Sequence, residues 1–195
     1  MSIIVAIKRK NEIVIGADTQ NSLGSMKLTA KHVVNSSKII SLKKDTYMGF
    51  AGWNSPIQAF SHLVLQREKK AKKRDRFDFS TQDSIFESLL KIQPILTKEY
   101  FVSDYESRNV PADSNQINAI IINKNGIFEI DTLREVTEFR DYWAIGSGQE
   151  YALGVFHALY DSDMPLVQIA KKAIEASCEF DDGCSLPADI YSLRI

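Results

Sequence analysis

The N-terminal segment contains two neighbouring runs that are rich in β-branched residues. Residues 2–9 read SIIVAIKR and residues 12–18 read EIVIGAD, with only Lys10 and Asn11 between them. Such runs predict two strands joined by a tight turn. Both runs are almost continuously apolar, whereas a strand with one wet face alternates, so we expect a sheet that is covered on both faces. The rest of the chain must therefore supply layers on either side of this hairpin.

Strand pairs and helix pairs alternate along the remaining sequence. A polar loop follows residue 18, helical spacing starts at Asn54 and again near Thr81, and Pro94 is expected to kink or end the second helix. Asn125-Gly126 predicts a hairpin with a type I′ turn, and residues 104–116 are predicted as a loop. Further strands are predicted at residues 38–42, 47–52, 117–123, 127–131, 136–139, 142–145 and 188–194, and further helices at 149–160 and 165–178.

This order of elements predicts two antiparallel sheets packed together, with a helix pair outside each. The fold class is then α+β, a four-layer αββα sandwich. At 195 residues the chain is long enough for one substantial core and short for two, so we expect a single domain over residues 1–195.

Composition excludes several classes of function. The net charge of −1 gives no electrostatic reason to expect nucleic acid or an anionic membrane as a partner. No apolar run approaches the roughly 20 residues of a membrane span. The apolar residues 3–7 precede Lys8, Arg9 and Lys10, the reverse of the secretory order, which favours a cytoplasmic location. The 2 cysteines and 3 histidines form no metal motif.

The register of the first hairpin decides which residues face each other near its open end. If residues 9–11 form a three-residue turn, Ser2 lies directly opposite Asp18 with both side chains on one face. A two-residue turn would instead put Ile3 opposite Asp18 and exchange the faces.

The second hairpin carries complementary groups to its own open end. A symmetric turn about residues 44–45 would place Lys38 opposite Ala51, beside Gly52. If the open ends of the two hairpins are neighbours, a hydroxyl, a carboxylate, an ammonium group and a small-residue backbone converge. The residues concerned are Ser2, Asp18, Lys38 and Gly52.

Five segments in order resemble the proteasome β-subunit family, most closely its bacterial HslV-type peptidase branch. They are SIIVAIKR near the start, GADTQNSLGS at residues 16–25, Lys38-Ile39, GFAG at residues 49–52 and AIGSGQEYA at residues 144–152. The resemblance spans almost the whole chain and is weakest over residues 68–110. It implies an N-terminal-nucleophile hydrolase fold and a peptidase that needs no cofactor or metal for its chemistry.

The resemblance also implies roles for individual residues. Ser2 stands where the family has its catalytic N-terminal threonine, provided that Met1 is removed. Asp18 and Lys38 match the acid and the lysine beside the nucleophile, and Gly52 matches the glycine whose amide forms the oxyanion hole. Three further matches are Ser147 near the free amine, Asp181 as the acid that helps to hold it, and Ser22 as a substrate-binding side chain.

The chemistry explains why these residue types are required. A serine hydroxyl needs a base, and a free α-amine with a pKa of roughly 8 can accept its proton near neutral pH. A nearby lysine favours the neutral amine and the developing alkoxide, and an aspartate keeps that lysine charged. A backbone amide at the oxyanion contributes about 3–4 kcal/mol.

Some features depart from the family pattern and keep alternatives open. Ser2 lacks the methyl group of threonine, Cys184 replaces a serine, and Trp53 follows Gly52 where small residues are usual. Two alternatives are therefore a catalytically silent ring subunit that retains Met1 and an amidase acting on a small non-peptide substrate.

The resemblance implies partners as well. We expect a homo-oligomeric ring, a peptide or unfolded-protein substrate and, from another chain, a possible ATPase unfoldase. Residues 146–148 (GSG) lack the Lys-Ser/Thr of a phosphate-binding loop, so any ATP dependence has to come from that separate chain.

Overall fold

The computed structural model describes residues 2–70, 76–102 and 116–195. Eleven strands and four helices lie in these ranges. In chain order they are β1 (Ile4–Arg9), β2 (Glu12–Asp18), β3 (Asn21–Leu23), β4 (Met26–Leu28), β5 (Ile39–Lys43), β6 (Thr46–Gly52), α1 (Asn54–Lys70), α2 (Gln82–Tyr100), β7 (Ile117–Asn123), β8 (Gly126–Ile130), β9 (Val136–Phe139), β10 (Tyr142–Ile145), α3 (Gln149–Leu159), α4 (Leu166–Phe180) and β11 (Ala188–Arg194).

The strands form two principal antiparallel sheets. Sheet 1 has the order β10-β1-β2-β11, and sheet 2 has the order β5-β6-β7-β8-β9. Among the described strands, β3 and β4 pair only with each other. The sheets are made of hairpins and of strands that return from distant parts of the chain. The predicted α+β class with two packed antiparallel sheets is confirmed.

Three apolar clusters show how the layers are stacked. One cluster joins sheet 2 to α1 and α2, and a second joins sheet 1 to α3 and α4. The third lies between the two sheets and contains Ile4 and Ile15 from sheet 1 and Ile120 and Ile122 from sheet 2. Because β1 and β2 are apolar on both faces, they contribute to the second and the third cluster together. The expected αββα layering follows from that continuous apolar pattern.

The first hairpin has the two-residue turn, with Lys10 at φ 55°. Ile4 pairs with Ala17, and the amide of Asp18 donates to the carbonyl of Ile3 at 3.2 Å. The three-residue turn is therefore wrong, and Ile3, not Ser2, lies opposite Asp18. A lysine with positive φ closes this turn although no glycine marks it in the sequence.

The second hairpin keeps the expected register only at its turn. Lys43 pairs with Thr46, but a bulge at Leu42 shifts the ladder so that Ile39 pairs with Gly49. The carbonyl of Lys38 consequently accepts a bond from the amide of Phe50 at 3.0 Å, so the predicted pairing of Lys38 with Ala51 is wrong by one residue. One extra residue in one strand is enough to cause this change.

Other differences are local. The predicted polar loop after β2 contains the β3–β4 hairpin, and Pro94 lies inside α2, which continues to Tyr100. The hairpin of β7 and β8 is present, but its turn residues are 124–125 and neither Asn125 nor Gly126 has a positive φ, so the type I′ assignment is wrong. The predicted loop at 104–116 lies outside the described residues, except for Gln116. Among the described helices, none is long and apolar enough to cross a membrane.

Arg9 at the end of β1 holds the turn between α3 and α4. Its guanidinium donates to the carbonyl oxygens of Tyr160 at 2.8 Å, Ser162 at 2.6 Å and Met164 at 2.5 Å. A rigid planar group with several donors suits such a set of carbonyls, whereas an ammonium group is a single point charge. This contact fastens the outer helix layer to sheet 1 at the end remote from Ser2.

Arg9→Ala should destabilise the fold, because three carbonyl oxygens lose a charged donor together. The expected loss of unfolding free energy is about 2–3 kcal/mol, measured by urea denaturation. Arg9→Lys should recover only part of it, and Lys10→Ala, in the exposed turn, should change stability by less than about 0.5 kcal/mol. Equal stabilities of the Arg9→Ala and Lys10→Ala variants would contradict this role.

Candidate active site

An ion pair lies beside the hydroxyl of Ser2. The Lys38 Nζ donates to Asp18 Oδ1 at 2.7 Å and to Ser2 Oγ at 2.9 Å. The Asp18 side chain is fully buried and that of Lys38 is 10% exposed. A buried charge is tolerated only when it is paired and hydrogen-bonded, so each group depends on the other. The lysine thereby brings a positive charge to the Ser2 oxygen.

The Asp18 carboxylate is bound by backbone amides as well as by the lysine. Oδ1 also accepts from the amide of Ile3 at 3.0 Å, and Oδ2 accepts from the amides of Gln20 at 2.9 Å and Ser185 at 3.3 Å. Four donors from four segments satisfy this carboxylate. The Ile3 contact explains why the convergence survives the register error, because Asp18 reaches the backbone next to Ser2.

The backbone nitrogen of Ser2 has its own partners. It donates to Ser147 Oγ at 3.1 Å, and the Ser147 side chain is hydrogen-bonded to the Asp181 carboxylate. Asp181 also accepts from the Gly183 amide at 2.9 Å and from the Cys184 thiol at 3.2 Å. Partial burial raises the pKa of Asp181, but the bonds from Ser147, Gly183 and Cys184 outweigh it and hold that pKa below its usual value. The carboxylate is thus kept ionised behind Ser147.

Cys184 acts here as a neutral hydrogen-bond donor. Burial, followed by the nearby Asp18 carboxylate and the bond to Asp181, raises the pKa of its thiol far above the ordinary range. A thiol that stays protonated is a poor nucleophile and is inert in redox chemistry compared with a thiolate. The residue that departs from the family pattern therefore still supplies a donor to Asp181.

Two glycines contact the carbonyl group of Ser2. Gly146 has φ 102°, and a Cβ there would lie 2.1 Å from the carbonyl oxygen of Ser2. The amide of Gly148 donates to that same oxygen at 3.3 Å. Only a residue without a side chain fits such a close approach of two backbones. The start of α3 and the segment before it thereby hold Ser2 in position.

Gly52 and Ser22 lie at the edge of this arrangement. Gly52 ends β6 at φ 120°, exposed and paired with Ile117. It follows, by two residues, Phe50, whose amide is bonded to the carbonyl of Lys38. Ser22 lies in β3, and its Oγ accepts from Gln20 Nε2 at 3.4 Å. Of the seven predicted residues, five are linked by direct contacts: Ser2, Asp18, Lys38, Ser147 and Asp181.

Comparison with known proteins places the chain in a family. A model of the family described as "Proteasome subunit" matches residues 2–187, nearly the whole chain. The chain belongs to the proteasome subunit family. A proteasome subunit beta of Nanoarchaeum equitans (strain Kin4-M) is 23% identical over 196 residues, covering 99% of this chain and 93% of the relative.

Solved structures agree with this placement. Thiobacillus denitrificans BPH, in complex with epoxomicin, has a TM-score of 0.85 and 25% identity, and 98% of each chain is covered. HslV from Trypanosoma brucei has a TM-score of 0.70 and 20% identity over 99% of both chains, which shows a shared fold. This proteasome-family chain thus has the αββα fold of an N-terminal-nucleophile hydrolase.

Sequence reasoning did not identify several residues that shape the proteasome-type site. They are Gly146 and Gly148 against the Ser2 carbonyl, and Gln20 and Ser185 on the Asp18 carboxylate. The GSG segment was a visible signal for the two glycines, since paired glycines before a helix often mark a close backbone approach. Nothing in the local sequence around residue 185 marks its contact, because residue 185 lies far along the chain from residue 18.

The close approach at Gly146 gives a sharp test of how Ser2 is held. Gly146→Ala should lower the unfolding free energy by more than about 2 kcal/mol, because both the φ angle and the Ser2 carbonyl exclude a Cβ. Gly154→Ala is the matched control: Gly154 is exposed in α3, and a Cβ there meets nothing within 4 Å. It should stabilise by about 0.5–1 kcal/mol. Chemical denaturation of both variants decides, and a stable Gly146→Ala protein would contradict the described packing.

Proposed function

We propose that this chain is a peptidase that uses Ser2, after removal of Met1, as an N-terminal nucleophile. The observation that carries the proposal is that one residue is bound at both of its reactive atoms. Lys38 Nζ lies 2.9 Å from Ser2 Oγ, and Ser147 Oγ lies 3.1 Å from the Ser2 nitrogen. Membership of the proteasome subunit family supports the same chemistry.

In the proposed reaction, the free α-amine of Ser2 takes the proton of the Ser2 hydroxyl as Oγ attacks the carbonyl carbon of the scissile peptide bond. The tetrahedral oxyanion accepts a hydrogen bond from the amide of Gly52. The C–N bond then breaks, and the amine passes its proton to the leaving nitrogen. Water, deprotonated by the same amine, hydrolyses the ester on Ser2 and restores both groups. No step requires a metal ion.

The surrounding charges have separate proposed tasks. The Lys38 ammonium stabilises negative charge that develops on Ser2 Oγ, and the buried Asp18 keeps this lysine charged and directed. Ser147 and Asp181 orient the amine so that its lone pair faces the hydroxyl. Ser22, in the short β3 strand beyond Asp18, is proposed to contact the substrate backbone. A cytoplasmic location remains part of this proposal.

Two different lesions at Ser2 should have the same result. Ser2→Ala deletes the nucleophile but keeps the amine, whereas a non-cleavable N-terminal extension keeps the hydroxyl but converts the amine into an amide. Each should reduce hydrolysis of a peptide panel by more than about 1000-fold while the fold is retained. Intact mass of the purified chain reports whether Met1 has been removed, and circular dichroism reports the fold.

An extension with a protease site is the matched control, because cleavage exposes Ser2 and should restore activity. Epoxomicin, present in the similar BPH structure, offers a second readout that does not depend on the choice of peptide. Its thermal shift should be lost in the Ser2→Ala variant. Full activity of the permanently extended chain would refute the amine mechanism, and an intact wild-type Met1 would favour a silent subunit.

We also propose a homo-oligomeric ring as the working form, since one sandwich offers no closed chamber for its site. An exposed aromatic pair supports an interface: the rings of Tyr151 in α3 and Phe180 in α4 lie 5.5 Å apart, and Phe180 is 69% exposed. Heterologous contacts that close on themselves produce rings. A separate ATPase would then deliver unfolded protein as substrate.

Sedimentation velocity tests the ring directly. At micromolar concentration the protein should sediment as one species with several times the mass of a single chain, and salt should affect it little if apolar contacts dominate. Phe180→Ser should weaken this assembly if the aromatic pair is part of the interface. A stable monomer for the wild-type protein would contradict the proposal.

A further inference from the structure

The proposed site consists of two halves that lie on different segments. The first half, Asp18 at the end of β2 with Lys38, contacts Ser2 at Oγ. The second half, the segment 181–187 after α4, provides Asp181, which reaches the Ser2 nitrogen through Ser147. Nucleophile and base are correctly aligned only when both halves keep a fixed separation. Contacts between the end of β2 and segment 181–187 help to set that separation, among them the Ser185 amide on Asp18 and the Thr19 hydroxyl on the carbonyl of Pro187.

Gln20 contacts both halves at once. Its backbone N–H donates to Asp18 Oδ2 at 2.9 Å, and its side-chain Nε2 donates to the carbonyl oxygen of Asp182 at 2.9 Å. Asp182 directly follows Asp181, so this carboxamide holds the backbone beside the acid. Gln20 is only 1% exposed. The end of its side chain that faces the Asp182 carbonyl is the NH2 group, because a carbonyl oxygen can only accept a hydrogen bond.

Stability alone does not account for a glutamine at this position. Its Oε1 is buried and has no hydrogen-bonding partner among the described residues. An unsatisfied buried acceptor costs folding free energy, whereas an apolar side chain of similar shape avoids that cost. Asp182 is an exposed residue at the surface, and we expect water to bind its carbonyl once the carboxamide is removed. A methionine at position 20 should therefore be tolerated by the fold.

We propose that Gln20 is a positioning residue that couples the two halves of the site through its bond to the Asp182 carbonyl. This inference rests on the proposed function of Ser2 and its amine. Gln20 takes no part in the proposed bond-making and bond-breaking steps; it acts by holding segment 181–187, and with it Asp181, at the correct distance from Asp18 and Lys38. Its task is catalytic alignment at a small cost in stability.

The pH profile separates this role from simple loss of packing. The ionisable groups around the Ser2 nitrogen are Asp18 and Lys38 in the first half, and Asp181 and the neutral Cys184 in the second. Activity requires the neutral amine, so the acid limb of kcat/KM follows the pKa of the amine. The Asp181 carboxylate favours the ammonium form. Releasing Asp181 lowers that pKa and moves the acid limb to lower pH.

Gln20→Met is the decisive variant, because it keeps the backbone amide that binds Asp18 and removes the side-chain bond to Asp182, together with the longer contact to Ser22 Oγ at 3.4 Å. We expect kcat/KM to fall about tenfold, since misplacement of about 1 Å can cost about 100-fold. The acid limb should move by about 0.5 pH unit to lower pH, the size of ordinary shifts at amino termini. The melting temperature should be unchanged or raised. Asp181→Asn should move the limb in the same direction, and combining the two variants should add no further shift.

Asn123→Leu is the matched control. Asn123 is also a buried amide whose nitrogen donates to a loop carbonyl, that of Phe79 at 2.8 Å, but it lies at the opposite end of β7 from the pairing with Gly52. The Asn123→Leu variant should be less stable than the wild type, but the acid limb of its kcat/KM profile should not shift.

Three outcomes decide between the possibilities. A Gln20→Met enzyme with the wild-type kcat/KM and acid limb overturns the inference, as does a loss of activity that only parallels a loss of stability. If wild-type activity does not depend on Ser2, the proposed function fails instead, and that result is obtained separately from the Ser2 variants.

Discussion

The buried carboxylate of Asp18 is the interaction on which the rest of the site depends. It accepts from the amides of Ile3, Gln20 and Ser185 and from the Lys38 ammonium, so it joins β1, β2, the residue before β5 and the segment before β11. A carboxylate with no exposure is tolerated only when it is paired and hydrogen-bonded, as it is here. Correct folding of both sheets is therefore coupled to formation of the site, because sheet 1 supplies the acid and the segment leading into sheet 2 supplies the lysine.

The fold was largely predictable because its main signals are local. Continuous apolar strands predicted covered sheets, and the order of hairpins and helix pairs predicted four layers. The errors fall where single residues decide register: Lys10 takes a positive φ without being glycine, and a bulge at Leu42 is not marked by any special residue. A shift by one residue exchanges the faces of a strand. The sequence nevertheless predicts the convergence of Ser2, Asp18 and Lys38, because the long Lys38 side chain still reaches Ser2 and Asp18 after a shift of one residue.

Contacts between distant segments explain what the sequence could not predict. Local pattern cannot indicate that the Ser185 amide binds Asp18. The paired glycines of the GSG segment signal a close approach, but not that its partner is the Ser2 carbonyl, because these contacts arise only when α3 and α4 pack on sheet 1. Both contacts depend on how α3 and α4 are positioned on sheet 1. Arg9 helps to fix that position by binding the turn between the two helices, at the end of β1 remote from Ser2. The resemblance indicated which residues matter, whereas the tertiary packing determines how they are held.

The serine at position 2 shows how surroundings can replace a covalent restraint. Threonine is restricted about χ1 by its branched Cβ, whereas serine is freer to rotate. Here the Ser2 Oγ is held by Lys38, its nitrogen by Ser147 and its carbonyl by Gly148, and the backbone of Gly146 lies close against that carbonyl. With its nitrogen, its carbonyl oxygen and Oγ all held, Ser2 has a defined χ1 angle. The methyl group is thus dispensable for orientation only while the Asp18 network keeps Lys38 in place, and the alignment of nucleophile and base depends on the same buried carboxylate that joins the sheets.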